Sequence, residues 1–190
     1  VVQTRNAYRR LLELGVGEDK IQRLGFIYPF KKENGHQPEA LICTNSDKIE
    51  HCEELIKRLP GMHFHIAALT WMSPTLFELG RYDNVDLYPG IEPLALEELF
   101  AKCDYYFDIN YYAEIVSAVF EAFLHNQLIF AFQETIHNRE YVADVFTYPV
   151  AEFEKMVSDV QTAMTDKTSM DKYLEKQQDF AFAENKETYI

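Results

Sequence analysis

Short, mostly continuous apolar runs recur along this chain, and stretches with helical periodicity lie between most of them. The runs fall at residues 22–28, 40–44, 63–69, 85–88, 105–109 and 128–132. A strand with one wet face alternates apolar and polar residues, whereas a strand covered on both faces reads as a continuous apolar run. Between the runs lie amphipathic patterns at 48–59, 73–80, 94–102 and 114–125. In the first, Ile49, Cys52, Leu55, Ile56 and Leu59 share one face, with Ser46 and Asp47 before them as candidate caps. Repeated strand–helix units imply parallel strands joined by right-handed crossovers. The expected fold is therefore α/β: a Rossmann-like, doubly wound, mainly parallel sheet of six strands. Within it Phe64, Ile66, Leu128, Ile129 and Phe130 should be core.

Both ends lie outside this alternation. Residues 4–14 form an amphipathic pattern with Tyr8, Leu11 and Leu12 on one side, and 150–164 another with Phe153, Met156, Val157 and Val160. Residues 168–183 hold helix formers with weaker periodicity. Residues 31–38 (KKENGHQP) form the one clear polar loop, with Asn34-Gly35 as its turn signal. No linker divides the chain, so its 190 residues are expected to be one domain. A first residue of Val1, without Met or a leader's basic and apolar regions, suggests a fragment of a longer protein.

Charge and cysteine content restrict the partners. A formal net charge of −13 repels nucleic acid and anionic lipid. The most apolar window, 115–132, is broken by Glu121, His125, Asn126 and Gln127, so no transmembrane segment is expected. Cys43, Cys52 and Cys103 lack metal-ligand spacing and read as reduced core thiols of a cytosolic protein.

In an open α/β sheet, ligands sit beyond the carboxyl ends of the strands. The candidate crevice residues are Asn45, Ser46, Thr70, Trp71, Asn110, Tyr111, Tyr112, Glu134 and Thr135. They are polar and aromatic, as a ligand site or a set of loop caps would be. The chain contains no GxGxxG, P-loop, nucleophile elbow or HExxH, and its seven glycines leave little for a phosphate cradle. His63 and His65 flank Phe64 and should point to one face. A metal site there would need a third ligand that the sequence does not supply, so no metal is expected. His125 and His137 have no partner at a diagnostic spacing.

Residues 103–132 (CDYYFDINYYAEIVSAVFEAFLHNQLIFAF) raise the functional question. Glu114 and Glu121 are seven apart, a spacing that two turns of helix bring back to nearly one face. Ile115, Val116, Val119, Phe120 and Phe123 would supply the buried side. The strand, turn, glutamate-bearing helix and second strand resemble the donor half of a two-domain (GT-B) glycosyltransferase. Glu121 matches the second glutamate of that family's motif. The first would fall on Ala113, one residue before Glu114, and Asn110-Tyr111-Tyr112 stands where the glycine-rich turn belongs. Arg139 is the nearest candidate for a pyrophosphate cation.

A closer resemblance runs over nearly the whole chain. The strings LGFIYPF, ICTNSDKIE, FHIAALTWMSPTL, NVDLYPGI, CDYYFDIN and FQETIHNREYV are similar to the carboxyl-terminal domain of GtfB-type stabilising subunits, of the accessory-Sec adhesin glycosylation systems. That resemblance implies a non-catalytic subunit, without cofactor, that stabilises a GtfA-type N-acetylglucosaminyltransferase. It also implies binding of a serine-rich repeat adhesin for O-glycosylation. The location implied is cytoplasmic, peripheral at the inner membrane face in the full-length protein. The alternative is an active retaining transferase using Glu114 and Glu121, with UDP-N-acetylglucosamine as donor.

Overall fold

The structure, a computed structural model, describes residues 1–184. In chain order its elements are α1 (Arg5–Glu13), β1 (Glu39–Cys43), α2 (Cys52–Arg58), β2 (His63–Ala68), α3 (Pro74–Phe77), β3 (Val85–Pro89), α4 (Pro93–Lys102), β4 (Tyr105–Asp108), α5 (Ala118–Leu124), β5 (Leu128–Phe132), β6 (Thr147–Tyr148), α6 (Phe153–Thr165) and α7 (Lys167–Phe180). The six strands form one sheet in the order β3-β2-β1-β4-β5-β6, and every pairing is parallel. This is the doubly wound order, whose topological switch point lies between β1 and β4.

The continuous apolar runs are explained by two cores, one on each face. Ile42, Phe64, Ile66, Phe107, Phe130 and Phe132 meet α2, α3, α6 and α7 on one side. Leu41, Cys43, Ala67, Tyr106, Ile129 and Ala131 meet α4 and α5 on the other. All five residues expected in the core are fully buried. The three cysteines are buried and unpaired, and burial pushes the Cys43 and Cys52 thiols up to about 12. Local chemistry starts several helices: Thr4 caps α1, Ser73 caps α3 ahead of Pro74, and Pro93 opens α4.

Two strand assignments change. Residues 22–28 form no strand among the described residues. They run along the far end of α7, held by isolated bridges of Arg23 to Val2 and of Phe26 to Ala183. Leu24, Phe26 and Ile27 remain partly exposed. β1 already has neighbours on both sides, so this segment cannot pair beside it, and an apolar run looks the same on a sheet or laid over a helix. The sixth place is taken instead by β6, whose two residues are too few to show any periodicity.

Because β6 is so short, the amino-terminal half of β5 would have an unpaired edge. Gln177 of α7 fills the gap: its Oε1 accepts from the Ile129 N–H at 2.9 Å and its Nε2 donates to the Gln127 carbonyl at 2.8 Å. The side chain is fully buried. Gln177→Leu strands two buried backbone groups, at roughly 1–3 kcal/mol each. The expected loss is about 2–4 kcal/mol in urea unfolding. A loss below about 0.5 kcal/mol would mean that water replaces the amide.

The polar loop 31–38 docks under the sheet. Asn34 Nδ2 donates to the carbonyls of Asp104 and Asn126 at 3.0 and 2.8 Å. Lys32 Nζ lies 2.6 Å from the buried Asp104 carboxylate.

Candidate functional site

The switch point between β1 and β4 is where this fold opens a ligand crevice. Here it is bridged by its own loops. The expected helix over 48–59 does not begin until Cys52, and Ser46 and Asp47 do not cap it. Lys48, Ile49 and Glu50 instead cross the end of β4. The Glu50 N–H donates to the Ile109 carbonyl at 2.8 Å, and the Tyr111 N–H to the Lys48 carbonyl at 3.1 Å. Ile49 and Asn110 form an antiparallel bridge. Asn110 Nδ2 donates to the Cys43 carbonyl at 3.1 Å, tying the ends of β1 and β4 directly. The Tyr111 hydroxyl donates to Glu50 above this seam.

A second fastening lies beside it. The His137 ring contacts the buried Asp108 carboxylate through Nδ1 and the Tyr112 carbonyl through Nε2. Both partners are acceptors, so both ring nitrogens donate and the ring is an imidazolium. The His137 N–H also donates to Asp108 Oδ2 at 2.7 Å. The hydrogen bond to Asp108 raises the His137 pKa above its usual 6.5. A raised folded-state value means the contribution is complete below the unfolded value and lost as pH rises through the folded one. Thermal stability should therefore fall as pH rises from about 6 into the alkaline range, and His137→Gln should flatten that fall. A pH profile identical in the variant would exclude this latch.

What remains open is a shallow cleft of about 430 Å³ beside the seam, lined by Asn45, Ser46, Asp47, Ala68, Trp71, Met72, Ser73, Leu76 and Tyr112. Trp71 is 78% exposed and rests against Phe77, with ring centroids 5.6 Å apart. Asn45 Oδ1 accepts from the Leu69 N–H at 3.1 Å, which sets the rim. Of the nine expected crevice residues, Asn45, Ser46, Trp71 and Tyr112 line this cleft. Asn110 and Tyr111 belong to the seam. Thr70 is exposed, its carbonyl accepting from Gly90. Thr135 is buried and donates to the Asp108 carbonyl at 2.8 Å, and Glu134 accepts from the Val150 N–H at 3.1 Å.

The two glutamates do not meet. The expected helix from residue 114 starts only at Ala118, because Val116 and Ser117 adopt left-handed φ angles of 43° and 55°. Val116, expected on the buried side, is 55% exposed, and Phe120 is only half-buried. Glu114 Oε1 accepts from the Val119 N–H at 2.9 Å and so caps α5 from outside it. Glu121 pairs with Lys31 Nζ at 2.8 Å, and the same amine reaches Glu97 of α4 at 3.0 Å. Arg139 donates to the Gln133 carbonyl at 3.0 Å. Among the described residues, no lysine or arginine lines the cleft.

His63 and His65 point to one face, as their spacing requires, and their rings lie 4.9 Å apart. The β2–β3 register sets Asp86 opposite His65. That carboxylate is the third potential metal ligand which the sequence alone did not supply. The roles of Asp108, His137, Lys31 and Asp86 all escaped the sequence reading, since each acts through a contact distant in the chain.

Comparison with known proteins follows the same lines. Residues 40–177 match the family model described as the GftB/GlyA-F C-terminal domain. A protein of Streptococcus agalactiae named UDP-N-acetylglucosamine–peptide N-acetylglucosaminyltransferase stabilizing protein GtfB is 47% identical over 146 residues, covering 76% of this chain and 33% of that protein. The protein of the same name in Streptococcus pneumoniae is 38% identical over 93% of this chain and 40% of its own length. The glycosyltransferase GlyE of Streptococcus pneumoniae is 32% identical over 72% of this chain and 34% of its length. A chain in the crystal structure of the GtfA/B complex bound to UDP and GlcNAc superposes with a TM-score of 0.88 at 33% identity, covering 98% of this chain and 42% of that one. The chain thus spans less than half the length of these relatives. No described helix is long and apolar enough to cross a membrane.

Proposed function

The chain belongs to the GftB/GlyA-F C-terminal domain family, and on that footing we propose that it is the carboxyl-terminal domain of a non-catalytic glycosyltransferase-like subunit. Residues 1–190 act as one domain of a longer protein. That protein stabilises a GtfA-type N-acetylglucosaminyltransferase and helps hold a serine-rich repeat adhesin for O-glycosylation. It works in the cytoplasm, peripherally at the inner face of the membrane.

The observation that carries this reading is the bridged switch point. A donor diphosphate needs cations or free backbone N–H groups at the carboxyl ends of the strands. Here the seam's N–H groups are spent on Lys48 and Ile109, and Glu121 is neutralised by Lys31. The cleft instead offers an exposed indole, a phenol ring, hydroxyls and an amide, surfaces suited to an uncharged Ser/Thr-rich polypeptide. Support for the partner comes from the relatives named as stabilising proteins and the likeness to a chain of the GtfA/B complex.

The likeness to a protein named as a glycosyltransferase favours a second reading, an active donor domain. Calorimetric titration of the intact protein, without its partner, with UDP and UDP-N-acetylglucosamine separates the two. No heat of binding is expected. Micromolar binding of either nucleotide would favour the enzyme.

A further inference from the structure

At the opposite end of the sheet from the cleft, parallel register gathers three side chains that lie far apart in the chain. His63 and His65 occupy alternate positions of β2, and Asp86 sits in the edge strand β3. One ligand atom from each falls within 4.8 Å of the others. We propose that His63, His65 and Asp86 form a divalent transition-metal site, with zinc as its fitting ion, that staples the edge strand β3 to β2.

The geometry is close to what such an ion requires. Zinc bonds of about 2.0–2.1 Å at tetrahedral angles set neighbouring ligand atoms roughly 3.3–3.4 Å apart. His63 Nε2 is 2.9 Å from Asp86 Oδ2, and His65 Nδ1 is 3.8 Å from the same oxygen. These separations bracket the required edge, and the two imidazole nitrogens lie within 4.8 Å of each other. Two imidazoles and a carboxylate match zinc better than magnesium or calcium, which favour all-oxygen sets.

The surroundings are those of a metal-bound histidine. His65 is fully buried, and its Nε2 lies 2.7 Å from Glu39 Oε2. Such a carboxylate fixes the tautomer and leaves the other ring nitrogen as the ligand. Lys102 Nζ approaches His65 Nε2 at 3.2 Å and Glu39 at 3.5 Å. The shorter contact assigns the Nε2 proton to the bond with Glu39. With the Nε2 proton directed at Glu39, Nδ1 is the ring nitrogen left with a lone pair. That lone pair now accepts from the Tyr88 hydroxyl at 2.9 Å, a weak neutral bond that an ion displaces. Asp86 and Glu39 outweigh Lys102 by one charge, which favours a cation. His63 and Asp86 are 33% and 54% exposed at their side chains, leaving an entry path and room for a water as fourth ligand.

The test uses the intact protein, purified without a histidine tag and stripped with a chelator. Zinc is titrated in competition with a chromophoric chelator, and cobalt(II) is followed by its visible absorption. One ion per chain at micromolar affinity is expected, with a rise in thermal midpoint. His63→Ala and Asp86→Asn should each weaken binding on the order of tenfold or more. The control His36→Ala, which loses only its pair with Asp171, should bind as the parent does. Asp86 is half-exposed, so Asp86→Asn keeps the test decisive if a histidine variant fails to fold. Millimolar binding, or unchanged affinity in Asp86→Asn, would overturn the site.

Discussion

Truncating Phe130 to alanine is expected to cost about 3–5 kcal/mol of folding stability, the range for a fully buried aromatic. The side chain lies in the middle of β5 with no exposed surface. It stacks on Phe107 of β4 at 5.8 Å and on Tyr148 of β6 at 6.4 Å, and Phe146 meets it edge-on at 5.5 Å. All three ring neighbours are themselves buried and have little freedom to collapse into the vacated space. The cavity should therefore persist, and cavity volume adds to the lost transfer energy. Denaturant unfolding measures the loss. A cost well under about 1 kcal/mol would mean that β5 is not a central strand.

The second large effect tests the acceptor capture and the transferase partner proposed above. Trp71 is the largest exposed aromatic on the cleft rim, and Tyr112 faces the same space. Interface tryptophans of this kind commonly contribute about 2 kcal/mol or more. Trp71→Ala in the full-length protein, assembled with its transferase partner, should weaken binding of an unglycosylated serine-rich peptide by about thirtyfold. Glu114→Gln combined with Glu121→Gln should leave transfer by the assembled pair almost unchanged. The fold tolerates this double change. A glutamine at position 114 still accepts from the Val119 N–H, and the Lys31–Glu121 pair is partly exposed, worth about 1 kcal/mol or less. A loss of hundredfold or more with the complex intact, the scale of a catalytic acid–base group, would instead make this domain an enzyme.

Five of the six strands could be read from the chain, the central ones because burial on both faces leaves continuous apolar runs, and the edge strand β3 despite its exposed Asp86. The same signal misled at residues 22–28, since apolar burial does not report whether the covering surface is a sheet or a helix. Helix starts were misplaced for a specific reason. Lys48–Glu50 and Glu114–Ser117 have helical patterns, but the first is drawn into backbone bonds with Ile109 and Tyr111, and the second turns left-handed at Val116 and Ser117. Tertiary contacts outweigh propensities of a few tenths of a kcal/mol per residue. Glu114 and Glu121 lost their shared face by this shift alone.

The amino-acid pattern by itself determined a doubly wound α/β layer structure, its core residues and the absence of GxGxxG and P-loop motifs. These follow from local periodicity and residue type, which the chain carries within each segment. Tertiary structure alone decided that the switch point is sewn shut, that His137 is held charged between Asp108 and Tyr112, and that Asp86 joins His63 and His65. Each depends on strand order and register, and those are set by the packing of segments far apart in sequence, where one residue of slip would turn every side chain to the other face.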